Sequence, residues 1–173
     1  MLRKLLVAAL GLALLPAVAH AQKSDNDYGF NQGNWELTLA GQGTNDNDWE
    51  STQFNVQGSV GYFFTDAIEV SARQTINFED LTGSSLAGQT VVAGDYHFDL
   101  GQWQPFVGAN VGYIWGDVHN TWTAAPEAGV KYFLNHTTFV EARVEYDFFF
   151  DPGHGTTAAN GQFNYTLALG VKF

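Results

Sequence analysis

The sequence contains no cysteine, which excludes a disulfide framework, a zinc-thiolate site and thiol catalysis. Charge is scarce as well: only 14% of residues are charged, against roughly 25% in a soluble domain. Positive charge is scarcest, with seven Lys and Arg against eighteen Asp and Glu and a formal net charge of −11. Arg3 and Lys4 lie at the extreme N-terminus, so Lys23, Arg73, Lys131, Arg143 and Lys172 are all the basic residues that follow. A basic nucleic-acid footprint is thereby excluded. Beyond the first 21 residues no apolar run approaches the roughly 18–20 residues of a membrane helix. Hydrophobic residues nevertheless make up 45% of the chain and aromatics 15%, a composition that does not fit an ordinary water-facing surface.

Residues 1–21 have the three parts of an export leader. The basic pair Arg3-Lys4 precedes an apolar run from Leu5 to Leu15, and Ala19-His20-Ala21 is a small-x-small cleavage site. The expected mature chain is a single domain, residues 22–173, with the net charge moved to −13 by loss of the two basic residues. Its destination is then secreted, periplasmic, or a membrane crossed by strands.

The mature sequence alternates with a period of two, and the pattern recurs eight times between Gly, Asn, Asp and Pro clusters. At the C-terminus Phe163, Tyr165, Leu167, Leu169, Val171 and Phe173 share one face, with Asn164, Thr166, Ala168, Gly170 and Lys172 on the other. Further along the pattern, Val140, Ala142, Val144, Tyr146 and Phe148 oppose Glu141, Arg143, Glu145 and Asp147. Ile68, Val70, Ala72 and Ile76 likewise oppose Glu69, Ser71, Arg73 and Thr75, and Phe54, Val56, Val60, Tyr62 and Phe64 oppose Asn55, Gln57, Ser59 and Gly61. A helix would scatter both sets around its circumference. Less regular segments near 34–42, 89–100, 105–115 and 125–134 complete the eight. Connections alternate between short turns at 65–66, 101–104 and 135–136 and longer loops at 43–51, 79–88, 116–124 and 150–161. The expected fold class is all-β: an eight-stranded antiparallel up-and-down transmembrane β-barrel, both termini at the short-turn end.

A soluble lipocalin-like barrel would alternate too, so the composition of each face decides the orientation. A polar face turned to water is normally rich in Lys and Glu. Here that face is largely Gly, Ala, Ser, Thr, Asn and Gln, small enough to fill a narrow eight-stranded interior. The apolar face carries aromatics near the strand ends: Trp35, Tyr62, Phe64, Tyr132 and Phe173 toward the turns, Tyr113, Trp115, Phe148 and Phe163 toward the loops. Such girdles belong at membrane interfaces. A β-sandwich core is the competing reading of the same aromatics.

With its leader, eight alternating segments, the strand PFVGANVGYIW (Pro105–Trp115) and the terminal YTLALGVKF (Tyr165–Phe173), the chain resembles the small outer-membrane β-barrels of Gram-negative bacteria, the OmpA-barrel and OmpX-like group. The resemblance implies a last strand read by the barrel assembly machinery through Tyr165, Leu167, Leu169, Val171 and Phe173. It also implies residence in the outer membrane among lipids and lipopolysaccharide. A periplasmic peptidoglycan-binding domain is not expected after residue 173.

The polar face carries the charges expected in the lumen: Glu36, Glu69, Arg73, Asp95, His97, Glu127, Lys131, Glu141, Arg143, Glu145 and Lys172. If Lys131 faces Glu141 across a hairpin, Gly129 faces Arg143 and Glu127 faces Glu145, leaving Arg143 diagonal to Lys131 and Glu127. Closure of the barrel should bring Glu36 opposite Lys172, and the two are expected to form an ion pair across the seam, worth no more than about 0–1 kcal/mol at a wet rim. Mutual pairing is expected, because an unpaired buried charge costs several kcal/mol, and such a network plugs a barrel of this width. A proton-conducting or gated pore is the alternative.

An enzymatic alternative also exists, since some barrels of this size deacylate or acylate lipid A through an outward Ser and His. In this chain none of Ser24, Ser51, Ser59, Ser71, Ser84 or Ser85 lies within two residues of His97, His119, His136 or His154. The His-x-Ser pattern of the PagL-like deacylases is therefore missing, although a triad assembled from distant loops is defined by geometry. No catalytic, cofactor or metal site is assigned. The loops carry Asp46, Asp48, Glu50, Glu79, Asp80, Asp117 and Asp151, oxygen ligands suited to hard cations, and the run Asn45–Glu50 lacks the spacing of an EF-hand. Divalent cations shared with lipopolysaccharide phosphates are the minor reading of these loops. The sequence assigns no surface ligand.

Overall fold

A computed structural model describes residues 28–45, 52–78, 86–116, 120–150 and 161–173. Eight strands follow one another: β1 (Trp35–Asn45), β2 (Thr52–Phe63), β3 (Ile68–Phe78), β4 (Leu86–His97), β5 (Trp103–Trp115), β6 (Thr121–Phe133), β7 (Thr138–Phe149) and β8 (Gln162–Lys172). Each pairs antiparallel with its neighbour in sequence, and β1 pairs with β8 to close the barrel. The fold class expected from alternation is the one observed.

Closure removes every sheet edge, and the seam is tight at the turn end. The Trp35 amide donates to the Phe173 carbonyl and the Phe173 amide to the Trp35 carbonyl, at 2.8 and 2.9 Å. The short connections at 64–67, 98–102 and 134–137 lie at that end. Asn135 shapes the last of them by accepting from the amides of Thr137 and Thr138 through its side-chain oxygen.

Several strands run further toward the loops than alternation indicated. β6 begins at Thr121 rather than near Ala125, because Thr121, Trp122 and Thr123 pair with Ile114, Tyr113 and Gly112 of β5. Small residues and a proline at 124–126 hide this stretch from a hydrophobicity pattern. Pro126 has no N–H to donate, and the β6–β7 ladder skips 125–126, yet the register is the same on both sides of the gap. β4 likewise starts at Leu86 and ends at His97, and β5 begins at Trp103.

The barrel is inverted relative to a soluble one. Leu39, Val92, Val111, Leu167 and Leu169 are each more than half exposed on the outer wall, whereas the residues that alternate with them are buried. Most of the buried residues are polar or charged. Trp35, Phe64, Phe148 and Phe163 are exposed near the strand ends, on the outer face to which alternation assigned them.

The leader, Lys23, Ser24, Ser51, Ser84, Ser85, His119, His154 and the loop acids Asp46, Asp48, Glu50, Glu79, Asp80, Asp117 and Asp151 lie outside the described residues.

Candidate functional site

The lumen is filled in two zones. The middle is built on two arginines. Arg73 of β3 reaches across the barrel to Glu127 of β6, donating from Nη1 to Oε2 at 2.8 Å and from Nη2 to Oε1 at 2.7 Å, and Nη2 also meets Asp95 Oδ2 at 3.0 Å. This two-pronged geometry is what a guanidinium offers a carboxylate. Arg143 of β7 lies 3.2 Å from Glu141 and 3.8 Å from Glu145, and donates to Gln57 Oε1 at 2.6 Å. Asn110 Nδ2 bridges Glu127 and Glu145 at 2.5 and 3.2 Å, and Asn164 donates to Asp147 at 2.7 Å toward the loop end.

Nearer the turns, the ammonium of Lys131 donates to Glu36 at 2.6 Å and Glu69 at 2.9 Å, with Glu141 at 3.9 Å. His97 Nε2 meets the same Glu69 oxygen at 2.9 Å. Below this cluster the polar filling stops and a floor of aromatic rings begins. Phe63, Phe133 and Phe139 are fully buried, with Phe106 and Phe30 close behind. Phe30 stacks on Phe63 at 4.0 Å between centroids and meets Phe133 and Phe139 edge-on. The Lys131 ammonium sits 4.9 Å from the Phe30 ring centroid and 5.3 Å from that of Phe139, close enough for a cation–π attraction. Glycines make room for these rings: a side chain at Gly129 would collide with Phe106, and one at Gly170 with Phe139.

Ten of the eleven lumen charges read from alternation are buried: Glu36, Glu69, Arg73, Asp95, His97, Glu127, Lys131, Glu141, Arg143 and Glu145. Lys172 is only partly buried, at the turn-end rim, and its ammonium donates to the Gly29 carbonyl. The hairpin register is the expected one, with Lys131 opposite Glu141, Gly129 opposite Arg143 and Glu127 opposite Glu145. The pairing differs in detail: the partner of Glu127 is Arg73, three strands away, rather than the diagonal Arg143. Glu36 does sit opposite Lys172 in the β1–β8 ladder, but its carboxylate turns inward to Lys131. Asp147 joins the buried set, giving seven carboxyl groups against three cationic side chains.

Alternation missed the aromatic floor. Phe63, Phe133 and Phe139 stand two residues from Gly61, Lys131 and Glu141 and so share their inward phase, a signal masked because apolar residues were assigned outward. Phe30 precedes β1 and carries no alternation at all.

Among the described residues, Ser59 and Ser71 point into the lumen, His97 is enclosed there, and His136 is exposed in a short turn. No group of three or more His, Asp or Glu side chains among them is arranged to hold a metal ion.

No family model and no curated protein matches the sequence. Solved structures do. The N-terminal β-barrel domain of Pseudomonas aeruginosa OprF is similar with a TM-score of 0.65 at 20% identity, over 82% of this chain and 98% of that domain. The outer membrane protein OprG of the same organism gives 0.62 at 15% identity, over 86% and 99%. Neisserial surface protein A gives 0.55 at 15%, over 80% and 94%. This chain has the fold of the small outer-membrane barrels. At these identities the likeness speaks to the fold alone.

Proposed function

We propose that the protein is an outer-membrane barrel of a Gram-negative bacterium with a structural or surface-interaction role, its lumen plugged by the charged network and aromatic floor. The observation that carries this reading is the inversion of the two faces. A wall of exposed Leu, Val and aromatic side chains around a buried polar interior is stable only where the outside is lipid. The partners are then the lipids and lipopolysaccharide of that membrane. The barrel assembly machinery reads Tyr165, Leu167, Leu169, Val171 and Phe173, all on the outer face of the closing strand. Export uses the leader of residues 1–21, removed at Ala21.

No catalysis, cofactor or nucleic acid is part of this reading.

Membrane fractionation tests the location. The full-length protein is expected in the outer-membrane fraction as a band that migrates differently when unheated. Deleting Phe173 removes both backbone hydrogen bonds between that residue and Trp35 together with the terminal ring. Slower insertion and a protease-sensitive periplasmic form are expected, and an undiminished folded band would remove the assembly-signal role. Planar-bilayer recordings test the plug: steady ion conductance by the wild-type protein would replace it with a channel. Unchanged lipid A masses with and without the protein are expected, and a lost or added acyl chain would instead make it an enzyme.

A further inference from the structure

The segment before β1 folds back under the barrel instead of leaving it. Phe30 is only 6% exposed, and its ring is the central one of the aromatic floor, in contact with Phe63, Phe133, Phe139 and His97. The chain on either side is tied to the β2–β3 and β6–β7 turns and to β8. The Gln32 amide donates to Asp66 Oδ1 in the β2–β3 turn at 2.7 Å. The Gly33 amide donates to the Phe63 carbonyl at 2.8 Å, and the Gly29 carbonyl accepts from Lys172 on β8. Tyr28 lies against His136 in the β6–β7 turn, with ring centroids 4.7 Å apart.

Two features distinguish this segment from a continuation of the sheet. Gly29 and Gly33 have φ of +97° and +90°, a conformation that glycine adopts without strain and other residues rarely do. They bracket Phe30, so the chain turns sharply on both sides of the one side chain it inserts. The polar ties are also few: single bonds from Gln32 to Asp66 and from Lys172 to Gly29, and at the hinge a two-bond exchange in which the Gly33 amide donates to the Phe63 carbonyl and the Phe63 amide to the Asn34 carbonyl, in contrast to the continuous ladder of β1 that starts at Trp35. Segments held by few contacts open locally while the rest of a structure stays closed.

We propose that residues 28–32 form a hinged stopper, with Phe30 as its head, that closes the turn end of the lumen and releases as a unit about Gly33 without opening the barrel. Its departure takes away the ring nearest the Lys131 ammonium and one of the three phenyl rings packed on His97, opening the floor under these groups from the turn side. This inference needs only the closed barrel, so its test in detergent micelles is separate from the test of cellular location.

Histidine carbethoxylation with diethyl pyrocarbonate, mapped by mass spectrometry on the folded protein, reads the closure. His136 serves as the exposed internal reference. In the wild-type protein His97 is expected to react about ten- to a hundredfold more slowly than His136, the population ratio that burial of one phenyl ring sustains. In Phe30→Ala that protection should be largely lost while the unheated folded band remains. His97 equally protected in a folded Phe30→Ala protein would overturn the proposal, as would wild-type His97 reacting as fast as His136.

Amide exchange reads the hinge independently of any lumen substitution. The amides of Gly33 and Asn34 should exchange together, faster than that of Trp35, and Asp66→Ala should accelerate the first two only. Gly33 exchanging at the Trp35 rate in both proteins would make the segment a fixed part of the barrel and would end the proposal.

Discussion

The middle of the lumen and its turn end are built from the same strands by opposite means. In the middle, Arg73, Arg143 and their carboxylates fill the space with charge, Arg73 spanning the barrel to Glu127 and Arg143 to Gln57, while Asp95 stands on the strand next to Arg73 and Glu141 on Arg143's own strand. At the turn end five phenyl rings fill it with apolar surface, and one of them comes from outside the sheet. The ion pairs give the middle little net stabilisation, because desolvating both partners offsets their attraction, but losing one partner strands the other. Rings carry no such penalty, and burying them is favourable in itself. The charged zone therefore specifies which strands face each other, and the aromatic zone seals the turn end. Lys131 joins the two, with its ammonium between three carboxylates and four rings.

Lys131→Met should cause the largest loss, because it leaves Glu36, Glu69 and Glu141 without their shared cation. About 3–5 kcal/mol is expected in urea unfolding in detergent or lipid. A loss below about 1 kcal/mol would mean the carboxylates find other partners and the junction is dispensable.

The contrast of inner and outer chemistry is sharpened by Leu167→Arg. Leu167 is 72% exposed on β8 beside the buried Thr166 and Ala168, and an arginine there should cost about 2–4 kcal/mol if it faces lipid near the membrane centre. Stability unchanged in lipid vesicles would place water, rather than hydrocarbon, against that wall.

Phe30→Ala tests the floor alone. Because the stopper detaches instead of leaving a rigid cavity, the expected loss is about 1.5–3 kcal/mol, the burial of one phenylalanine. A larger loss, approaching that of Lys131→Met, would tie the floor to global folding of the barrel.

The smallest effect belongs to the rim. Glu36 and Lys172 face each other across the seam, but Glu36 is held by Lys131 and Lys172 by the Gly29 carbonyl. A double-mutant cycle with Glu36→Gln and Lys172→Gln should give a coupling of about 0–1 kcal/mol. A coupling well above that range would show the carboxylate to be shared between the two lysines.

Alternation alone determined the number of strands, their up-and-down order, the side of the wall on which Glu69, Arg73, Glu127 and Arg143 stand, and the β6–β7 register. It does so because a strand has a strict period of two and adjacent antiparallel strands leave no choice once a short turn joins them. Pairing across the lumen is another matter. Arg73 to Glu127 and Lys131 to Glu36 join residues 54 and 95 positions apart, and which carboxylate lies within reach depends on the tilt and diameter of the closed barrel, quantities no local pattern carries. The stopper is the extreme case. Phe30 has no strand period, and only closure creates the ring of Phe63, Phe133 and Phe139 into which it fits, so the end of the lumen is decided by tertiary structure.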